Sequence, residues 1–147
     1  MYKKILVPLD GSKLAECALP HAESLALAYK STIVLLSVIS PGAIAGRTPA
    51  DMELFQETMD ARRDEAQNYL KRLAGEFAEK KIKAEIHIGI EPVVGEIVTT
   101  AEKHDVDLVV IASHGRSGLE RVFFGSVASG VLNRIERPLM VIRPSNR

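Results

Sequence analysis

The residues whose types and spacing could do chemistry lie in segment 106–135, VDLVVIASHGRSGLERVFFGSVASGVLNRI. An apolar run from Val106 to Ala112 breaks at Ser113-His114-Gly115 and continues through Arg116-Ser117-Gly118. Gly125-Ser126 then opens a new helical pattern. A strand, a glycine-punctuated loop and a helix N-terminus in that order are the parts of an anion site. Glycine lets the backbone approach a ligand, and the unpaired N–H groups of a helix start face negative charge. The segment is therefore predicted to bind phosphate. Arg116 and Arg121 are candidate counter-charges. Solvated surface is the better reading of Arg121, and Arg116 stays open between the two. The chain holds no GxxxxGK[ST] loop and no GxGxxG after its first strand, which removes the commonest NTPase and dehydrogenase readings.

Asp10 ends the first apolar run. An ionised carboxylate accepts hydrogen bonds only, which suits ribose hydroxyls, an adenine amino group or a metal. A local Asx-turn or cap is an equal reading. His114 sits among no nucleophile elbow and no HExxH pattern, so a hydrogen-bonding or packing role is preferred to catalysis. Cys17 reads as a small apolar helix residue. His21, His87 and His104 are scattered along the chain and receive no chemistry. No His/Cys cluster has metal-ligand spacing in sequence.

Position is supplied by alternating elements. KKILVPL (3–9) is a strand ending at Asp10-Gly11-Ser12, with Ser12 a helix cap. Leu14, Ala18, Leu25 and Tyr29, interleaved with Ala15, Leu19, Ala22 and Ala26, give a helical stripe. Pro20 should kink that helix, and a start only at Pro20 is the weaker alternative. Residues 32–38 form a central apolar strand. The glycine- and proline-rich stretch 40–50 is a loop of the kind used as a lid or partner contact.

A long helix follows from Asp51, with Met52, Phe55, Met59, Ala66, Tyr69, Leu73 and Phe77 on one stripe. Ile82, Ala84, Ile86 and Ile88 alternate with polar residues, as on a half-exposed edge strand. Pro92 opens a helix that buries Val94, Ile97, Val98 and Ala101, with His104 in its last turn. After the strand Val106–Ala112, a short helix presents Ala128, Val131, Leu132 and Ile135. Residues 138–142 close the pattern as a fifth strand.

This β-α alternation calls for a five-stranded parallel sheet with helices on both faces, Rossmann-like or flavodoxin-like, in order 3-2-1-4-5. Strands one and four then meet at the topological switch point. Asp10 and Ala112–Gly118 converge on one crevice there.

At 147 residues the chain makes one domain with a single core. Its 46% hydrophobic and 26% charged content is that of a folded globular protein. Nineteen basic and nineteen acidic residues cancel, which argues against nucleic acid and against an anionic membrane as partner. No apolar stretch approaches the roughly 18 residues of a membrane span. The start MYKKILVPLDG does not read as a signal peptide, and the one cysteine permits no internal disulfide, so a cytoplasmic setting is expected. Leu139, Met140, Val141 and Ile142 are apolar on both faces yet fall at a sheet edge. Pairing with a second copy would cover them, which predicts a homodimer, unless the C-terminal tail or the long loop does so.

The chain resembles the universal stress protein family along nearly its whole length. The resemblance rests on KKILVPLDGS, IVLLSVI, ASHGRSGLERVFFGSVASGVL and RPLMVIRP. The family's nucleotide-binding branch carries glycine, two residues, glycine, nine residues, then glycine and Ser/Thr. Gly115, Gly125 and Ser126 match it. Ala112 replaces the first glycine, and Gly118 is an extra glycine within the nine.

By this resemblance Asp10 would hold the ribose or base edge, and Val38 would meet adenine through its backbone. Gly115, Gly125, Ser126 and Val127 would contact the phosphates. Pro8, Leu9, Ile111, Ala112, His114, Arg116, Gly118 and Ala128 complete the candidate set. The resemblance implies a dimeric, cytoplasmic stress-response module binding ATP or AMP, with an unspecified protein partner. Slow hydrolysis of ATP with Mg²⁺ near the phosphates, or a nucleotide-free dimer that binds partners, are the competing expectations. No residue is a persuasive general base, and no Walker lysine is available.

Overall fold

In the computed structural model, which describes residues 1–43, 46–114 and 125–145, strands and helices alternate as their side-chain periods require. The strands are β1 (Lys4–Leu9), β2 (Thr32–Ile39), β3 (Ala84–Ile90), β4 (Leu108–Ala112) and β5 (Leu139–Ile142). The helices among the described residues are α1 (Leu19–Tyr29), α2 (Pro49–Glu79), α3 (Val93–Lys103) and α4 (Ser126–Arg134). All strand pairs are parallel, in the order β3-β2-β1-β4-β5. This is the predicted 3-2-1-4-5 sheet.

Opposite side-chain directions along each strand divide the interior in two. Ile5, Val7, Leu9, Ile33 and Leu35 pack with Ala22 and Ala26 of α1 and with Leu70, Leu73 and Phe77 of α2. Leu6, Val34, Leu36 and Val109 pack instead with Ile97 and Ala101 of α3 and Val131 of α4. Each fully buried aliphatic side chain of this kind contributes about 1.5–3 kcal/mol of burial free energy. Asp107 secures the amino end of β1, its Oδ2 accepting from the Lys3 and Lys4 amides at 2.8 and 2.9 Å.

Three sequence expectations are corrected. No continuous helix runs from Ser12 through a kinked Pro20. A 3-10 turn covers Ala15–Ala18, and α1 begins at Leu19 with Pro20 in its first turn. There the missing proline N–H would have had no helical acceptor, so it costs nothing. The buried positions are Ala15, Ala18, Ala22 and Ala26, whereas Leu14, Leu27 and Tyr29 are exposed. Helix α2 starts two residues earlier than expected. Thr48 caps it, Pro49 occupies the first turn, and Thr48 and Asp51 form a reciprocal capping box. Leu132, expected on the buried face of α4, is 51% exposed; that helix buries Ala128 and Val131 instead.

Pro8 explains how the crevice opens. The Lys4 amide and carbonyl both point toward the β4 side, the carbonyl accepting from Asp107 N–H at 2.9 Å. Pro8, four residues on, shares that direction and has no N–H to offer β4. The β1–β4 ladder accordingly pairs Ile5 with Leu108 and Leu6 with Val109 and goes no further. On its other side β1 stays paired with β2 through Leu9 and Ser37. A proline is tolerated in a central strand where the ladder it would interrupt has already ended.

Candidate functional site

Beyond Pro8 the carboxyl ends of β1 and β4 carry separate, locally built structures. At the end of β1, Gly11 adopts φ +85°, a conformation that glycine takes without a Cβ penalty. The turn brings the Ser12 amide to Asp10 Oδ1 at 2.9 Å and the Ser12 hydroxyl to the same oxygen at 2.5 Å. Ser12 Oγ in turn accepts from the Ala15 amide at 3.2 Å, capping the 3-10 turn. The turn role of Asp10 is therefore real, and it fixes an exposed carboxylate at the strand end.

Further negative charge stands behind it. Tyr69 of α2 donates to Glu16 Oε2 at 3.0 Å. Burial, then the Glu16 hydrogen bond and charge, with a smaller contribution from Asp10, push the Tyr69 hydroxyl well above its ordinary pKa. It stays a neutral donor throughout the physiological range. Burial also raises the pKa of the Cys17 thiol in the 3-10 turn, in keeping with a packing role.

At the end of β4, Ile111 and Ala112 pair with Val141 and Ile142. Ala112, which stands where the nucleotide-binding pattern has glycine, lies in regular extended strand, and its methyl is buried. The backbone at this position thus makes no demand for glycine. Ser113 is 1% exposed and joins three elements. Its amide donates to Ile142 O at 2.7 Å, and its carbonyl accepts from Gly125 N–H at 2.7 Å. Its hydroxyl lies 3.0 Å from His114 Nδ1. His114 Nε2 is buried without a hydrogen-bond partner among the described residues.

Gly125 is the N-cap of α4. A Cβ built there would sit 2.8 Å from Ser113 O and 3.8 Å from the His114 ring. Gly125 offers helix α4 no side-chain cap, and the first amides, at exposed Ser126 and at Val127 and Ala128, are the ones a helix start leaves without an intrahelical acceptor.

The predicted site residues that the described structure brings to the carboxyl end of the sheet are Pro8, Leu9, Asp10, Val38, Ile111, Ala112, His114, Gly125, Ser126, Val127 and Ala128. Val38 reaches it as the penultimate residue of β2, opposite Gly89. Gly115, Arg116 and Gly118 lie outside the described residues. Ser12, expected as a helix cap, accepts from the Ala15 amide at the start of the 3-10 turn, whereas Ser113 has no role in the sequence reading. A serine two residues after a strand-ending Asp, before a helical stripe, is a readable turn signal for Ser12. Nothing local marks Ser113, whose backbone partners are 12 and 29 residues away. The loop after β2 is anchored as well, since Arg62 of α2 donates to the Ser40 carbonyl.

Comparison with known proteins gives a consistent picture. A model of the universal stress protein family matches residues 1–143. The universal stress protein MJ0577 of Methanocaldococcus jannaschii is 34% identical, over 99% of this chain and 98% of its own. A solved structure of MJ0577 superposes with a TM-score of 0.87 at 30% identity, covering 100% of this chain and 99% of that one. The universal stress protein from Archaeoglobus fulgidus in complex with dAMP shares the fold, with a TM-score of 0.67 at 22% identity, over 96% of this chain and 98% of that one.

Proposed function

The chain belongs to the universal stress protein family, and from that premise we propose that it is an adenine-nucleotide-binding regulatory module. It works as one domain and is dimeric, with ATP or AMP held at the carboxyl ends of β1 and β4. The observation that carries this reading is the convergence of two built ends at the switch point. A carboxylate held by the Gly11-Ser12 turn stands on one side. The helix start closed onto Ser113 by Gly125 stands on the other. Open α/β sheets bind ligands in this crevice.

Each part suits one end of a nucleotide. Asp10 accepts from the ribose hydroxyls or the adenine amino group, and the Val38 backbone meets the base. The first amides of α4, at the positive end of its dipole, take phosphate oxygens. Gly115, Arg116 and Gly118 complete the phosphate side by their place in the pattern. With ATP, Mg²⁺ would accompany the phosphates. Among the described residues no helix is long and apolar enough to cross a membrane. A cytoplasmic working place is part of the proposal and is supported by the single cysteine.

Calorimetric titration of the folded chain with ATP and with AMP tests the reading, and heat is expected with at least one. No heat with either would leave the partner-binding, nucleotide-free dimer as the better account. Asp10→Asn keeps an oxygen for the Ser12 turn but removes the charge. A hydrogen bond to a charged group is worth about 1.5–3 kcal/mol, so affinity should fall about 10- to 100-fold with the circular dichroism spectrum unchanged. Undiminished affinity would remove Asp10 from the site.

A further inference from the structure

A second constellation lies away from the crevice, on the outer strand of the sheet. Glu85 and His87 are two residues apart on β3, so their side chains share a face. Ala84, Ile86 and Ile88 pack into the core beneath α1 and α2, which leaves Glu85 and His87 on the face that carries α3. Helix α3 leaves the carboxyl end of β3 and returns toward the amino end of β4. His104 is its C-cap, with the backbone amide donating to Thr100 O and Glu102 O. The return sets the His104 ring against His87, with centroids 4.1 Å apart and planes inclined by 50°. One ligand atom each from Glu85, His87 and His104 lies within 4.8 Å of the other two, and all three residues are half-buried.

We propose that Glu85, His87 and His104 form a transition-metal site, of the zinc class, that staples the edge strand β3 to the end of α3. Two imidazoles and one carboxylate are a zinc-type donor set with a fourth position left for water. Bonds of about 2.0–2.2 Å in a tetrahedron need donors roughly 3.4 Å apart. The proposal asks side-chain rotation of three half-buried residues to close their donors from within 4.8 Å to that spacing. His104 stands at the C-terminal end of α3, where the negative end of the helix dipole favours a cation.

The surrounding charges decide which cation. Lys83 Nζ is 4.0 Å from Glu85, and Lys4 Nζ donates to His104 O at 3.3 Å. Lys103 precedes His104 directly. These ammonium groups oppose a hard cation that depends on carboxylate charge, such as Mg²⁺ or Ca²⁺. A metal drawn by imidazole nitrogen is less affected. The site is separate from the nucleotide crevice and does not depend on it.

Titration of the metal-free full chain with zinc chloride, followed calorimetrically, should show uptake of one ion per chain, and magnesium chloride should give none. Loss of a partner that only orients a metal ligand already costs about 10- to 100-fold in affinity. His87→Ala and His104→Ala, each removing a ligand, should therefore cost about 100-fold or more, while AMP titration is unaffected. The unaltered protein gives an independent readout. In imidazole NMR spectra, zinc should shift the His87 and His104 signals and leave those of His21 and His114 in place. Absence of zinc uptake by the folded chain overturns the proposal. So does uptake that survives both substitutions, or a zinc response at His21 or His114 without one at His87 and His104.

Discussion

Gly125 is held by the protein itself before any ligand arrives. Its N–H is 2.7 Å from the Ser113 carbonyl, and a Cβ would approach that same oxygen to 2.8 Å. Its φ of −62° is open to any residue, so the requirement is one of space and not of backbone conformation. Alanine there must push the end of β4 and the start of α4 apart, and overpacking of this kind costs about 1–3 kcal/mol. Gly125→Ala should therefore lower the denaturant midpoint of nucleotide-free protein. An unchanged midpoint would mean that the glycine serves ligand approach alone. The residue type was legible in the sequence, as a glycine before a helical pattern. That it is pinned by Ser113 was not, because the pairing closes only once β4 and α4 meet. Ala112 makes the converse point: where the motif has glycine, regular strand geometry accommodates a methyl.

Among the elements, those whose burial follows large apolar side chains were read correctly. β2, β4 and the alternating β3 fall where hydrophobic periodicity set them, and the sheet order follows from parallel crossovers. The first helix differs from expectation at its start, where a 3-10 turn replaces the helix before Leu19, while Ala15, Ala18, Ala22 and Ala26 of the expected stripe are buried. The 3-10 turn packs directly against β4, and the large Leu14, Leu27 and Tyr29 are left outside. The pairing of His87 with His104 was hidden because the two lie on separate elements, and only the β3–α3 return joins them.

Helix α2 shows a signal that was present but passed over, Thr-Pro-Ala-Asp at 48–51. Removing the cap by Thr48→Ala should cost about 0.5–2 kcal/mol in a cooperative denaturation measurement. The Thr48 hydrogen bonds, side chain first and then backbone, lower the Asp51 pKa from its ordinary 3.8. A carboxylate with a depressed folded pKa contributes stability above its unfolded value and loses it as pH falls through the folded one. The Asp51 contribution should therefore be intact at neutral pH and vanish only below 3.8. Asp51→Asn should accordingly flatten the acid limb of the stability profile, and an acid limb identical to that of the unaltered protein would remove Asp51 from the linkage.

At the scale of the whole molecule, the sheet has two unlike edges. β3 carries polar residues on one face and ends the sheet with charge, as an edge strand that avoids association does. β5 carries Leu139, Met140, Val141 and Ile142, all half-buried, and among the described residues it pairs with β4 on one side only. The carbonyls of Pro138 and Ile142 accept from Val109 and Ser113, so the backbone groups of even-numbered residues face β4. Those of Leu139 and Val141 therefore face outward. They form the row of donors and acceptors that a second copy of β5 would meet in a two-fold dimer. Val141→Pro removes one outward N–H and leaves the β4 ladder intact, since proline is tolerated on an edge strand where its nitrogen faces away from the sheet. Sedimentation should give twice the chain mass for the unaltered protein and a folded monomer for Val141→Pro. A dimer that persists in the variant would place the interface elsewhere. The same comparison relates assembly to the crevice, because β5 pairs with Ala112 through Ile142 and receives the Ser113 amide. Dimerisation that stiffens β5 should hold Ser113, and with it Gly125, in register for phosphate. AMP titration of Val141→Pro should then show weaker binding than the dimer, and equal affinity would separate assembly from ligand binding.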